Sequence, residues 1–271
     1  MTPLAQRLAQ VLVSPSLIKS HKFWDKNKSK LAECLFDTHY FEATEVLPML
    51  QELAKIELKN RAALEESFAL YGFLPAPKTW IEWDAKQYGE RVAVMLEERD
   101  EEQVDATMFW KNAAQPLGIL RPKTCDIETP GGMYCFPETM VSYCVKHGMD
   151  AGQFALATMQ AAHGILVLIN SPKIIGRRQY MPNLSFERRL TKQLGVGKFP
   201  LHAWTELKLS VAKPPEIDDG EPHEAHLTGK RALHFCRKHL RIRLGKLEYV
   251  SAHWRGDPAL GIKQKRYRLT A

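Results

Sequence analysis

The sequence predicts an α+β protein with N-terminal helices, a central antiparallel sheet packed on a buried helix, and a basic, β-rich C-terminus. Apolar residues recur at helical spacing near the N-terminus, apolar and polar residues alternate after residue 73, and one long apolar segment follows. We therefore expect four regions. They are helical residues 1–72, an α+β core at 73–212, an acidic Pro-rich linker or loop at 213–229, and a basic β-hairpin region at 230–271 that can also belong to the core domain.

Two N-terminal segments have the apolar period of amphipathic helices. "PLAQRLAQVL" places Leu4, Leu8 and Val11 at helical intervals, and a second segment repeats that spacing from Leu50 to Tyr71. The first 70 residues or so are accordingly expected to be helical.

Three segments after residue 73 alternate as strands do. "TWIEW" directs Trp80 and Glu82 to one face and Ile81 and Trp83 to the other, and "ERVAVMLEER" and "VDATMFWKNA" supply two further strands. These segments predict an antiparallel meander. Glu82 between two tryptophans fits a general acid whose pKa an apolar pocket raises, but the simpler expectation is a carboxylate on the exposed face.

The segment "AGQFALATMQAAHGILVLIN" is apolar nearly all round and is expected to form the central buried helix. His163 within it is interpreted as a core histidine whose hydrogen bonds are satisfied.

Composition indicates a globular protein with free thiols. Of 271 residues, 45% are hydrophobic and 25% charged, and the longest apolar run, "GILVLI", is far shorter than the ~18 residues of a membrane span. The N-terminus has no basic segment followed by an uninterrupted apolar one, so no signal peptide and no membrane partner are predicted. Five cysteines at unpatterned spacings are typical of a reducing cytoplasm.

The charge is divided unequally along the chain. Residues 1–170 carry 17 Lys and Arg against 22 Asp and Glu, whereas residues 171–271 carry 21 against 9. A positive segment of this kind attracts polyanions and accelerates their encounter. The alternative is a basic surface that only keeps the protein in solution.

No motif of a common cofactor site occurs, so no cofactor is predicted. The chain lacks a Gly-x-x-x-x-Gly-Lys-Ser/Thr loop, a Gly-x-Gly-x-x-Gly turn and a Gly-x-Ser-x-Gly elbow. No metal is predicted either, because no pair of cysteines has the tight spacing of a zinc knuckle. Whether Cys125, Cys135, Cys144 and His147 meet in space stays open, and so does the oligomeric state.

The stretch "HFCRKHLRIRLGKLEYVSAHWRG" predicts an amphipathic hairpin with a basic face. Gly245 and Lys246 fit a two-residue turn, a register that pairs Arg243 with Glu248 and His239 with Ala252. His239, Arg241 and Arg243 then share one face, with His253 on the opposite one. The candidate nucleic-acid contacts are Arg177, Arg178, Arg188, Arg189, Arg237, Lys238, Arg241, Arg243, Lys263, Lys265, Arg266 and Arg268.

Two segments resemble proteins of bacteriophages and prophages that have no assigned activity. The residues that carry the resemblance are "FERRLTKQLGVGKFPLHAWTELKL" and "HFCRKHLRIRLGKLEYVSAHWRGDPALGIKQKRY", with "TWIEW" upstream. The resemblance implies a phage or prophage protein in the cytoplasm of a bacterial host. It implies no catalytic residue.

Three functions are consistent with these observations. The first is binding of nucleic acid, or of a host complex that handles nucleic acid, through the basic C-terminal face. The second is an enzyme acting on nucleic acid or nucleotide, with His239, Arg241, His253 and Arg255 as acid-base and phosphate-binding groups. The third is an inhibitor whose basic face covers an acidic protein surface.

Overall fold

The computed structural model confirms an α+β fold. The structure describes residues 1–13, 22–35, 38–50, 52, 55, 71–124, 126–129, 134–171, 175–180, 204–209, 232–236, 239–243, 246–250, 253–255 and 257–262. The helices with assigned bounds are α1 (Pro3–Val13), α2 (Lys22–Lys26), α3 (Lys28–Leu35), α4 (Glu138–Lys146) and α5 (Ala151–Asn170).

Eight strands form one mixed sheet. In chain order they are β1 (His39–Glu42), β2 (Lys78–Ala85), β3 (Glu90–Glu98), β4 (Val104–Trp110), β5 (Ala113–Arg121), β6 (Asp126–Glu128), β7 (Ile175–Tyr180) and β8 (Trp204–Leu209). Their order across the sheet is β6-β5-β4-β3-β2-β1-β8-β7. Strands β2 to β4 form the predicted antiparallel meander, β5 and β6 extend it, and β1 is parallel to both β2 and β8.

The sheet is covered on both faces. On one face, α1 to α3 pack through a cluster that includes Leu4, Leu8, Trp24, Leu31, Tyr40, Trp80 and Phe109. On the other face, α4 and α5 pack on a cluster that includes Ile81, Trp83, Val94, Met108, Phe154 and Ile165. Strand β2 therefore has both faces buried, and Glu82, which the sequence places on an exposed face, is fully buried.

Helix α5 is the buried helix that the sequence predicts. It begins with a capping box, in which Gln153 N–H donates to Asp150 Oδ1 at 2.7 Å and Asp150 N–H donates to Gln153 Oε1 at 3.0 Å. Its length and hydropathy would also fit a membrane span, but 67% of that apolar window is buried inside the protein. Its apolar surface therefore faces the sheet, and His163 is buried within it, as expected.

The C-terminal strands form two further small sheets. Strands β10 (His239–Arg243) and β11 (Lys246–Val250) pair as a hairpin, and β9 (Ala232–Cys236) lies between β12 (His253–Arg255) and β13 (Asp257–Ile262). Tyr249 of β11 packs against the core on the α5 side of the main sheet. The β-rich C-terminus is thus present, in contact with the core.

The hairpin register differs from the one that the sequence predicts. Arg241 pairs with Glu248 and Arg243 pairs with Lys246, so Lys246 belongs to a strand and not to the predicted two-residue turn. The two registers keep the same residues on the same face of the hairpin, so the amphipathic pattern cannot distinguish them.

Candidate nucleic-acid interface and the ionic row beside it

The candidate nucleic-acid residues that the structure describes lie on strands outside the helix-covered meander. Arg177 and Arg178 belong to β7, and Arg241 and Arg243 belong to β10. Arg255, which belongs to the enzyme hypothesis, is exposed on β12. The remaining candidates lie outside the described residues; they are Arg188, Arg189, Arg237, Lys238, Lys263, Lys265, Arg266 and Arg268.

The two histidines of the enzyme hypothesis lie in different sheets. His239 of β10 pairs with Val250, whereas His253 of β12 is exposed and pairs with Cys236 of β9. The predicted pairing of His239 with Ala252 is therefore wrong, since His239 pairs with the last residue of β11, Val250. Strand β12 pairs with β9 instead of continuing the hairpin.

Three glutamates form one row across the parallel strands. Glu82 of β2 is in register with Glu42 of β1, which is in register with Glu206 of β8. The row continues into β7, where Arg178 is in register with Glu206. Neighbouring strands are about 4.8 Å apart, and like charges placed directly opposite each other are unfavourable. The three carboxylates therefore need cationic or hydrogen-bond-donating neighbours to be stable in this arrangement.

Glu82 is held by donors from three parts of the chain. Leu4 N–H donates to Oε1 at 2.8 Å, Trp80 Nε1 donates to Oε2 at 3.2 Å, and Arg91 Nε lies 3.1 Å from Oε1. Ala5 N–H adds a longer contact of 3.4 Å to Oε2. Because Pro3 occupies the first helical position, the amides of Leu4 and Ala5 are free N-terminal donors of α1. The Glu82 carboxyl group on β2 thus accepts the hydrogen bonds that cap the N-terminus of α1.

Opposing effects act on the pKa of Glu82. The pKa of Glu82 is raised on balance, because burial raises it more than the Thr2 hydroxyl, the Leu4 N–H, the Arg91 guanidinium and the Trp80 indole lower it. Each of these groups favours the ionised carboxylate. The donors from α1, β2 and β3 make this buried carboxyl group a link between α1 and the sheet.

Arg91 also pairs with Glu42. Its Nη2 lies 2.7 Å and its Nη1 3.1 Å from Glu42 Oε1. The Thr44 hydroxyl donates to the same oxygen and accepts from Asp84 N–H at 2.9 Å. One guanidinium therefore neutralises the repulsion between the first two carboxylates of the row.

Glu206 extends the row toward the basic strand. Tyr180 of β7 donates its hydroxyl to Glu206 Oε2 at 3.0 Å, which ties the end of β7 to β8. Within the described residues, no group of three Cys, His, Asp or Glu side chains is placed to hold a metal ion. Of the cysteines considered for zinc, Cys144 is buried, Cys135 is exposed and Cys125 lies outside the described residues.

The row could not be found from the sequence. Its members come from segments separated by up to 164 positions between Glu42 and Glu206, and β1 interrupts a region expected to be helical. The available signal was the alternation in "TWIEW", which places Glu82 on the same face as Trp80.

Comparison of the chain with protein-family models, with curated proteins and with solved structures finds no match. The resemblance to bacteriophage and prophage proteins stays a prediction.

Proposed function

We propose that the protein binds nucleic acid through the basic strands of its C-terminal part. The observation that carries this proposal is the division of charge, with 21 Lys and Arg against 9 Asp and Glu in residues 171–271. Phosphate contacts by Lys and Arg supply most of the affinity in nonspecific nucleic-acid binding. The class of ligand is therefore a polyanion with regularly spaced charges.

The strand geometry supports a backbone contact. Arg241 and Arg243 are two residues apart on β10, and two residues of an antiparallel strand rise about 6.8 Å. That rise equals two steps along one DNA strand, at about 3.4 Å of helix axis per phosphate, so the two side chains match every second phosphate. Alternate positions on one strand can thus follow a phosphate backbone, a contact that positions the ligand without reading its sequence.

The alternative of an enzyme is less well supported. It would require His239 and His253 to act together, and their strands pair in two different sheets. A binding function requires only that the basic positions remain accessible to the same polyanion. If the resemblance to phage proteins holds, that polyanion is found in the bacterial cytoplasm.

The test measures affinity for labelled single-stranded and double-stranded oligonucleotides by fluorescence anisotropy at 50 and 200 mM salt. With about six phosphate contacts, we expect affinity to fall about a thousandfold between the two salt concentrations. Absence of binding at 50 mM would overturn the proposal.

Two double variants with equal charge change locate the surface. Arg241→Ala with Arg243→Ala should weaken binding, and Arg99→Ala with Arg121→Ala, on the acidic part of the chain, should not. Equal weakening by both pairs would mean that net charge, and not the C-terminal strands, determines binding. Capture of an acidic protein by nuclease-treated chain that binds no oligonucleotide would instead favour the inhibitor hypothesis.

A further inference from the structure

The hairpin of β10 and β11 contacts the core through one of its two faces. Successive residues of a strand alternate between faces, and residues that pair directly across an antiparallel ladder share a face. Tyr249 of β11 packs against the core on the α5 side of the main sheet. The face of Tyr249 is therefore the attached face, and the opposite face carries Arg241, Arg243, Lys246 and Glu248.

The two charged pairs on this outer face differ in sign. Arg241 is in register with Glu248, whereas Arg243 is in register with Lys246. Side chains directly opposite each other have Cβ atoms about 4.5 to 5.5 Å apart, so opposite charges there stabilise a sheet and like charges destabilise it. The register thus balances the charge of the first pair and places two positive charges together in the second. The two arginines of β10 are not equivalent.

The like-charged pair lies where the two strands of the hairpin end and begin. Arg243 is the last residue of β10, and Lys246 is the first residue of β11. A backbone phosphate accepts charge-assisted hydrogen bonds from guanidinium and ammonium groups alike. A phosphate beside this pair would replace the repulsion between the two cations by attraction to a shared anion.

We propose that Arg243 and Lys246 together bind one backbone phosphate of the nucleic acid, and that Arg241 contributes less because Glu248 is directly opposite it. This inference rests on the proposed function and identifies which hairpin positions contact the phosphate. Lys246 is a binding residue that the sequence does not predict, since the predicted register assigns it to the turn. The alternative is that Lys246 only adds to the net charge.

The test compares two variants with the same change in net charge. Lys246→Glu converts the like-charged pair into an opposite pair, and Lys111→Glu changes an exposed residue of the turn between β4 and β5. Fluorescence anisotropy with a labelled oligonucleotide at 50 mM salt should show weakening of about tenfold or more for Lys246→Glu and of less than about threefold for Lys111→Glu. Lys246→Glu should also reduce the salt slope by about one.

Thermal unfolding distinguishes a lost phosphate contact from a damaged hairpin. Lys246→Glu replaces repulsion across the ladder by attraction, so this variant should unfold at a temperature equal to or above that of the unmodified protein. A variant with a damaged hairpin would lose both stability and binding. Weaker binding with undiminished stability is therefore the result specific to a phosphate contact.

Two further variants test the difference between the arginines. Glu248→Gln removes the negative charge opposite Arg241 and should strengthen binding by about threefold, whereas Glu101→Gln, at an exposed position of the turn between β3 and β4, should change affinity by less than about 1.5-fold. Arg243→Ala should weaken binding more than Arg241→Ala.

Three outcomes would overturn the phosphate contact and leave the proposed function standing, provided that the unmodified protein binds the oligonucleotide. They are equal weakening by Lys246→Glu and Lys111→Glu, a lower unfolding temperature for Lys246→Glu, and a larger loss of affinity for Arg241→Ala than for Arg243→Ala. Absence of binding by the unmodified protein at 50 mM salt would overturn both the contact and the proposed function.

Discussion

Glu82, Glu42 and Glu206, together with Arg91, form the ionic row of the main sheet. This row and the basic strands of the C-terminal part use charge in opposite ways. Glu82 is fully buried and receives hydrogen bonds from α1 and Trp80 as well as the Arg91 guanidinium, whereas Arg255 on β12 is exposed. A buried ion without partners is very costly, so each charge in the row requires a specific neighbour. An exposed charge has no such requirement and remains available to a ligand.

The density of charge along a sequence therefore does not identify the charged residues that stabilise the fold. Residues 1–170 have the smaller charge imbalance, yet they contribute Glu42, Glu82 and Arg91 to the row. The basic part has the larger imbalance and is the better candidate for a partner. Burial and the donors around each carboxylate separate the two roles.

Removing the buried carboxylate should have the largest effect. Glu82→Ala leaves the amides of Leu4 and Ala5 without their acceptor and the Arg91 guanidinium half paired, so we expect a loss of about 3 to 5 kcal/mol in the free energy of unfolding. Urea denaturation measures this loss. The exposed Glu102→Ala is the matched control and should stay within about 0.5 kcal/mol. A loss below about 1 kcal/mol for Glu82→Ala would contradict the helix-capping role.

A buried histidine extends the comparison to a group that folding keeps uncharged. Burial lowers the pKa of His163 to about 4, from about 6.5 in an unfolded chain. Between these values the unfolded chain binds a proton that the folded protein does not, so stability is fully present above pH 6.5 and is lost as pH falls toward 4.

We expect this histidine to cost about 2 to 3 kcal/mol of stability between pH 7.5 and pH 4.5. Urea denaturation of the protein and of His163→Asn at both pH values isolates the contribution. The variant should fold at pH 7.5 and should lose less stability on acidification. An identical pH dependence in the two proteins would show that other groups cause the acid sensitivity.

An exposed charged side chain can also stabilise the fold when it makes a hydrogen bond to a residue nearby in the sequence. Asp150 is exposed, but its side chain accepts from Gln153 N–H at 2.7 Å and caps α5. Asp150→Ala should therefore cost about 1 kcal/mol in unfolding, whereas Asp150→Asn, which can still cap, should cost clearly less. Equal losses would assign the effect to the charge and the helix dipole instead of the hydrogen bond.

The elements that the sequence predicts well are those whose pattern is local. The alternation of "TWIEW" and the continuous apolar character of α5 identify β2 and the buried helix without knowledge of their neighbours. Strand β1 has only four residues between helical segments and depends on β2 and β8 for its pairing. No local period distinguishes such a strand.

The site is less predictable than the fold for the same reason. Glu82 was expected on an exposed face because its helical donors are 77 and 78 positions away in the sequence. The hairpin register was missed because a shift of the turn by one residue leaves every side chain on its original face. Contacts between distant segments decide the burial of Glu82, whereas the period-2 pattern of the hairpin leaves its register undetermined.

The smallest effect on stability should come from the basic strands. Arg255 is exposed on β12, so Arg255→Ala should change the free energy of unfolding by no more than about 0.5 kcal/mol. If Arg255 contacts a phosphate, the same variant should weaken nucleic-acid binding uniformly and reduce the salt slope by about one. Arg99→Ala removes the same charge from an exposed position in the acidic part and should leave the slope unchanged. A larger loss in the free energy of unfolding with unchanged nucleic-acid binding would contradict this prediction. The charge of Arg255 would then stabilise the fold, as the charges of the ionic row do.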